Sequence, residues 1–81
     1  MRKKYIDVEV MCSGGTVRPL RIHREDGSIL PVKRTLHTAS PVDHEFEGIR
    51  YTVLIGSAEE YMYLDGKRWY VDPSFGKEDT S

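Results

Sequence analysis

The chain has 81 residues, 38% hydrophobic and 31% charged, with a formal net charge of -1. That length holds one domain with one small core, too little for a large enclosed active-site cavity, and the composition is that of a globular rather than a disordered chain. A single cysteine, Cys12, excludes an internal disulfide and points to a reducing compartment, the cytoplasm, while Asp7 and Glu9 interrupt the apolar run that a signal peptide would need after "MRKK" and no segment is long enough to cross a membrane.

Residues 5–12, "YIDVEVMC", alternate as a half-buried strand, with Ile6, Val8, Val10 and Cys12 inward and Tyr5, Asp7, Glu9 and Met11 outward. "SGGT" reads as a turn, and "VRPLRIHR" resumes an extended pattern in which Pro19, having no ladder donor, predicts an edge or a bulge. "EDGS" is a hairpin signal and "ILPVKRTLHT" the returning strand, where Pro31 repeats the edge signal. A three-residue loop of Glu25, Asp26 and Gly27 sets Ile22 opposite Leu30 and Leu20 opposite Val32, apolar against apolar. A two-residue Asp26-Gly27 turn would set Leu20 against Lys33, so the longer loop is preferred. Its outer face carries Arg21, His23, Lys33, Thr35 and His37, with Arg18, Arg24 and Arg34 reaching outward from the ends of the apolar face.

In "TASPVDHEFEG" Ser40 can cap, Pro41 suits a first helical position and Gly48 can terminate, which predicts a loop holding one helical turn. "GIRYTVLIG" alternates strictly, with Ile49, Tyr51, Val53 and Ile55 inward and Arg50, Thr52 and Leu54 outward. "EEYMYLDGKRWYVD" is a second hairpin on Asp65-Gly66 that sets Trp69 and Val71 on one face and Arg68 and Tyr70 on the other. Whether Tyr61 and Tyr63 or Met62 and Leu64 join Trp69 depends on the loop length, and the pattern leaves both open.

These elements predict an all-β domain over residues 1–73, a small antiparallel meander closing into an SH3-like barrel of five or six strands, followed by a flexible polar tail, residues 74–81. A five-stranded oligonucleotide-binding-type barrel ranks second, because the chain lacks room for its long loops and bridging helix. The predicted core is Val8, Val10, Leu20, Ile22, Val32, Leu36, Ile49, Tyr51, Val53, Ile55, Trp69 and Val71. "GIRYTV" followed by "YMYLDGKRWYV" resembles small bacterial SH3-like β-barrel proteins of unassigned function. The resemblance implies the barrel and carries over no catalytic residue.

Charge is uneven: Arg18, Arg21, Arg24, Lys33 and Arg34 stand against Glu25 and Asp26, and the chain after Thr38 is mainly acidic. A basic hairpin beside outward tyrosines suits a noncatalytic module for single-stranded nucleic acid or an acidic protein, with those five cations and Arg50 on phosphates and Tyr70, with Tyr61 or Tyr63, stacking on bases. Against this stands the reading of the same residues as ordinary solvated strand positions, favoured by a pI near 6.3. The alternatives are a small metal-assisted enzyme or enzyme subunit and an interaction module acting through a sheet edge, including a homodimer. His23, His37, His44 and Cys12 lack the close paired spacing of a chelate, so neither metal nor other cofactor is expected, and Cys12 reads as a buried, inert thiol. Asp43, Glu45 and Glu47 read as solvated carboxylates, and Gly14-Gly15 as a turn without the lysine and helix of a phosphate loop.

Overall fold

The computed structural model describes residues 2–76. It contains seven strands and no helix: β1 (Lys4–Ser13), β2 (Thr16–His23), β3 (Ile29–Pro31), β4 (Arg34–Ala39), β5 (Ile49–Ile55), β6 (Ala58–Asp65) and β7 (Arg68–Val71). All neighbours are antiparallel, in the order β3-β2-β1-β7-β6-β5-β4. The all-β, barrel-like architecture is therefore as expected, with one strand more than the upper estimate.

Two corners curl the sheet. β1 pairs with β7 through residues 4–6 and with β2 through residues 7–13, so it passes from one half of the sheet to the other. At the second corner the Val32 N–H donates to the Leu20 carbonyl at 2.9 Å and the next N–H, of Lys33, donates to Leu54 at 2.8 Å. The chain thus changes partner from β2 to β5 in one residue. What reads in the sequence as a single returning strand is two, β3 and β4, and the two outermost strands of the order meet here.

The β2–β3 loop has the three-residue form. Arg24 N–H donates to Ser28 O, Gly27 N–H donates to Arg24 O, and Gly27 takes a φ of 90° that other residues adopt at a cost. Ile22 accordingly faces Leu30. Further along β2 the partners step from Glu9↔Arg21 to Val10↔Pro19, leaving Leu20 as the extra residue of a bulge. Face parity reverses at that point: Pro19 is fully buried and Arg18 lies beside Arg21 on the outer face, opposite Met11, rather than at the end of the apolar face. A second bulge at Leu36 turns Thr35 inward, opposite Val53, where an outward position was expected.

The main core is Ile22, Tyr51, Val53, Met62, Trp69 and Val71, with Ile6, Val8, Leu30, Val32 and Leu64 packed on it. Met62 and Leu64, not the tyrosines, join Trp69. Val10 and Ile49, expected inside, are each 38% exposed, and Cys12 is exposed. Val10 and Cys12 lie beyond the last β1–β7 pair and Ile49 begins its strand, so each points inward at an end that the opposing layer does not reach. Phe75 also packs on the core, its N–H donating to the Asp72 carbonyl at 2.8 Å, so the packed chain runs past residue 73. Residues 77–81 of the expected tail lie outside the described residues.

No helical turn forms in residues 40–48. Asp43 and His44 both have left-handed φ, 57° and 59°, which a right-handed helix cannot contain, and the Glu45 N–H closes the turn on Val42 O. The segment instead lays Phe46 over the outer face of β6 and β7, where it forms a second buried cluster with Tyr63 and Tyr70. Gly48 makes that approach possible, since a Cβ there would overlap the Leu64 carbonyl.

Candidate binding face

The outer face of β4–β7 is built around one cross-strand row. Tyr5, Tyr70, Tyr63, Arg50 and Ala39 are successive partners across β1, β7, β6, β5 and β4. Tyr70 and Tyr63 stack with ring centroids 4.9 Å apart and planes 9° apart, Tyr5 meets Tyr70 edge-on at 6.0 Å, and Phe46 lies 5.2 Å from Tyr63. The Tyr70 hydroxyl donates to the Glu47 carbonyl at 2.7 Å and accepts from the Glu47 N–H at 3.1 Å, which pins the 40–48 segment down. Lys3 pairs with the Glu47 carboxylate; that contact holds Glu47 below the usual carboxylate range and Lys3 above its own. Burial pushes the Tyr63 hydroxyl up.

Tyr70, expected outward as a stacking residue, is 0% exposed. It does point away from Trp69, but this face is covered too. Alternation identifies which face a residue takes, not whether that face is wet. The continuous apolar runs "YMYL" and "WYV" carried that signal, as did Phe46, the lone aromatic in an acidic segment.

At the margin of the covered cluster the face opens. The Arg50 guanidinium lies 5.2 Å from the Phe46 ring centre and 4.5 Å from that of Tyr61, and its Nε is buried without a hydrogen-bond partner. Among the described residues Arg50 makes no ion pair. Tyr61 is 50% exposed. The next two rows along β5 from Arg50 on the same face are His37–Thr52–Tyr61, in which Thr52 is buried, and Arg34–Leu54–Glu59, and they place His37 and Arg34 on the edge strand. Nearby acids include Glu59, Glu60 and Asp72; Asp72 accepts from the backbone and hydroxyl of Ser74, which lower its pKa.

Lys3 and Arg68 lie over the Tyr70 and Tyr5 rings at the β1–β7 end of this face, but the other cations grouped from the sequence do not join it. Arg21 and Arg18 project from β2 on the outer side of the other half of the sheet. There Arg21 donates to both oxygens of Glu9, at 2.7 and 3.1 Å, and His23 Nε2 lies 2.5 Å from Glu9 Oε2. Hydrogen bonds from Arg21 and then His23 hold the Glu9 carboxyl at about 2. Arg18 rests on Met11 Sδ at 3.3 Å, Arg24 flanks the β2–β3 loop beside Asp26, and Lys33 sits exposed at the second corner. Of the six cations grouped from the sequence, Arg34 and Arg50 therefore share the outer face of β4–β6 with Tyr61, while Arg18 and Arg21 stand on β2, Arg24 at its loop and Lys33 at the corner.

Among the described residues no three His, Cys, Asp or Glu side chains stand close enough to hold a metal ion. The thiol expected to be buried is exposed. A cleft of about 380 Å³ lies between β1 and the β2–β3 loop, but Lys4, Arg24, Asp7, Glu25 and Asp26 line it with both signs of charge, so it favours no one ligand charge. No helix of the described residues is long and apolar enough to cross a membrane. No family model, curated protein or solved structure matches the chain.

Proposed function

We propose that the protein is a noncatalytic binding module that takes a polyanion, single-stranded nucleic acid, on the outer face of β4–β6. Arg50 and Arg34 meet phosphates, His37 lines the edge and Tyr61 stacks on a base. The observation that carries this reading is Arg50 itself. Two aromatic rings hold its guanidinium in place while no carboxylate of the described residues pairs with it, so its charge remains available to an anion on the face. An acidic protein segment is the second ligand class this face fits, through the same guanidinium. The SH3-like character of the barrel and a cytoplasmic location belong to the same proposal, the first by the resemblance of its second half and the second from its single cysteine.

Binding rests on few cations, so it is weak and salt-sensitive, about micromolar or weaker. The test is a titration of short oligothymidylate at two salt concentrations. The parent protein is expected to bind at low salt, the Arg34→Glu, Arg50→Glu double variant to lose binding, and Arg21→Glu to bind as the parent does. Equal loss with Arg21→Glu, or no binding by folded parent protein at low salt, would overturn the reading.

A further inference from the structure

Of the sheet's free edges, two are guarded. β3 is three residues long and ends in Pro31, and β4 opens on the exposed cation Arg34. The third is not. Residues 7–13 of β1 pair with β2 on one side, and on the other, beyond the Ile6–Trp69 pair, no strand of the described residues lies against them. That edge holds no proline and no lysine, and its bulge lies on the β2 side. A groove of about 500 Å³ follows it, lined by Tyr5, Val8, Val10, Lys67, Arg68 and Trp69. Val10 and Met11, 38% and 46% exposed, stand along the same stretch.

We infer that this edge docks a second copy of the chain, β1 against β1 antiparallel, about a twofold axis at Val10. The occupant follows from the sequence of the strand itself. With Val10 opposite the partner's Val10, the inward face sets Val8 against the partner's Cys12, apolar on apolar, and continues the core stripe across the junction. On the outer face Glu9 meets the partner's Met11 and Asp7 meets the partner's Ser13, so no like charges come opposite one another. Glu9 is already paired within its own copy by the Arg21 guanidinium. In this register the partner's Ser13 comes opposite Asp7, level with the start of β7 at Arg68, and its Gly14-Gly15 turn, which has no side chains, must bend away from β7 there. Seven residues of pairing make a small interface, so the dimer is weak and concentration-dependent.

The register gives a sharp test. Val10→Cys in a Cys12→Ser background places two thiols directly opposite, within the roughly 4.4–6.8 Å Cα separation a disulfide needs, and mild oxidation should cross-link it rapidly. Met11→Cys in the same background falls two residues out of register and the parent's own Cys12 four, so both should cross-link slowly. Sedimentation of the reduced parent protein should show a concentration-dependent dimer, which Val10→Lys, setting two ammonium groups face to face, abolishes while leaving the melting temperature nearly unchanged. Parent protein that stays monomeric at all concentrations, or cross-linking as fast at Met11 as at Val10, would overturn the inference.

Discussion

Arg21 and Arg50 both stand in strands, on outward faces of the same small barrel, and their neighbours give them opposite fates. Across the ladder from Arg21 is Glu9, which accepts two hydrogen bonds from it and cancels its charge locally. Across from Arg50 are Ala39 and Tyr63, and its guanidinium rests between Phe46 and Tyr61. One arginine is spent on its own sheet; the other is oriented and left charged. A count of cations in the sequence is thus a poor guide to where an anion is attracted, because the residue one strand over decides.

The contrast depends first on the second core, and breaking that core should have the largest effect. Phe46 is 7% exposed and supports one side of Arg50. Phe46→Ala should cost about 3–5 kcal/mol, comparable to Trp69→Ala in the main core, read as a shift in the urea midpoint. A small loss would mean that the 40–48 segment is a loose covering rather than a second layer. Gly48→Ala tests the same layer from the backbone: its φ of 86° alone costs a side chain about 1–3 kcal/mol, before the overlap with Leu64 is relieved.

The next effect is on binding. Tyr61→Ala should weaken oligonucleotide binding about 5- to 150-fold, the worth of roughly 1–3 kcal/mol per stacked base, and leave the salt dependence nearly unchanged. Arg50→Gln should instead lower the slope of log affinity against log salt by about 0.7. Arg21→Gln should alter neither quantity. If Tyr61→Ala and Arg50→Gln behaved alike, ring and guanidinium would be acting as one structural unit and not as separate contacts to base and phosphate.

How far the sequence reveals these features follows from what each depends on. The Ile22–Leu30 register was legible because turn chemistry at Gly27 and apolar pairing agree, and both are local. The strand character of residues 49–55 was legible for the same reason. Arg18 was misplaced because a single bulge at Leu20 reverses parity, and although Pro19 signals a bulge, it does not say which residue is extra. Tyr70 was misplaced because its cover, Phe46, comes from 24 positions earlier in the chain and reaches it through two left-handed residues that no periodicity announces. The exposure of Val10, Cys12 and Ile49 depends on where the opposing layer ends, a property of the assembled barrel rather than of any strand.

The smallest effect probes the Arg21 side of the contrast. Glu9 titrates at about 2 in the folded chain, against an ordinary 4.5, so its bonds to Arg21 and His23 contribute stability above about pH 4.5 that disappears as pH falls toward 2. Glu9→Gln should therefore destabilise slightly at pH 6, and the gap between parent and variant should close on acidification. Asp26, Glu47 and Asp72 are also held below their ordinary values, so both proteins lose stability in acid, and only the difference between their urea midpoints reports Glu9. The pair is roughly half exposed, so the gap should also shrink with added salt. The same variant frees Arg21 from its carboxylate without altering the face around Arg50. Its affinity for oligothymidylate should stay at the parent's level, because a released arginine on the far side of the barrel has no aromatic ring to hold it and no exposed tyrosine beside it. A clear gain in affinity would instead mean that free charge alone governs binding, and the stacked setting of Arg50 would then be incidental to it.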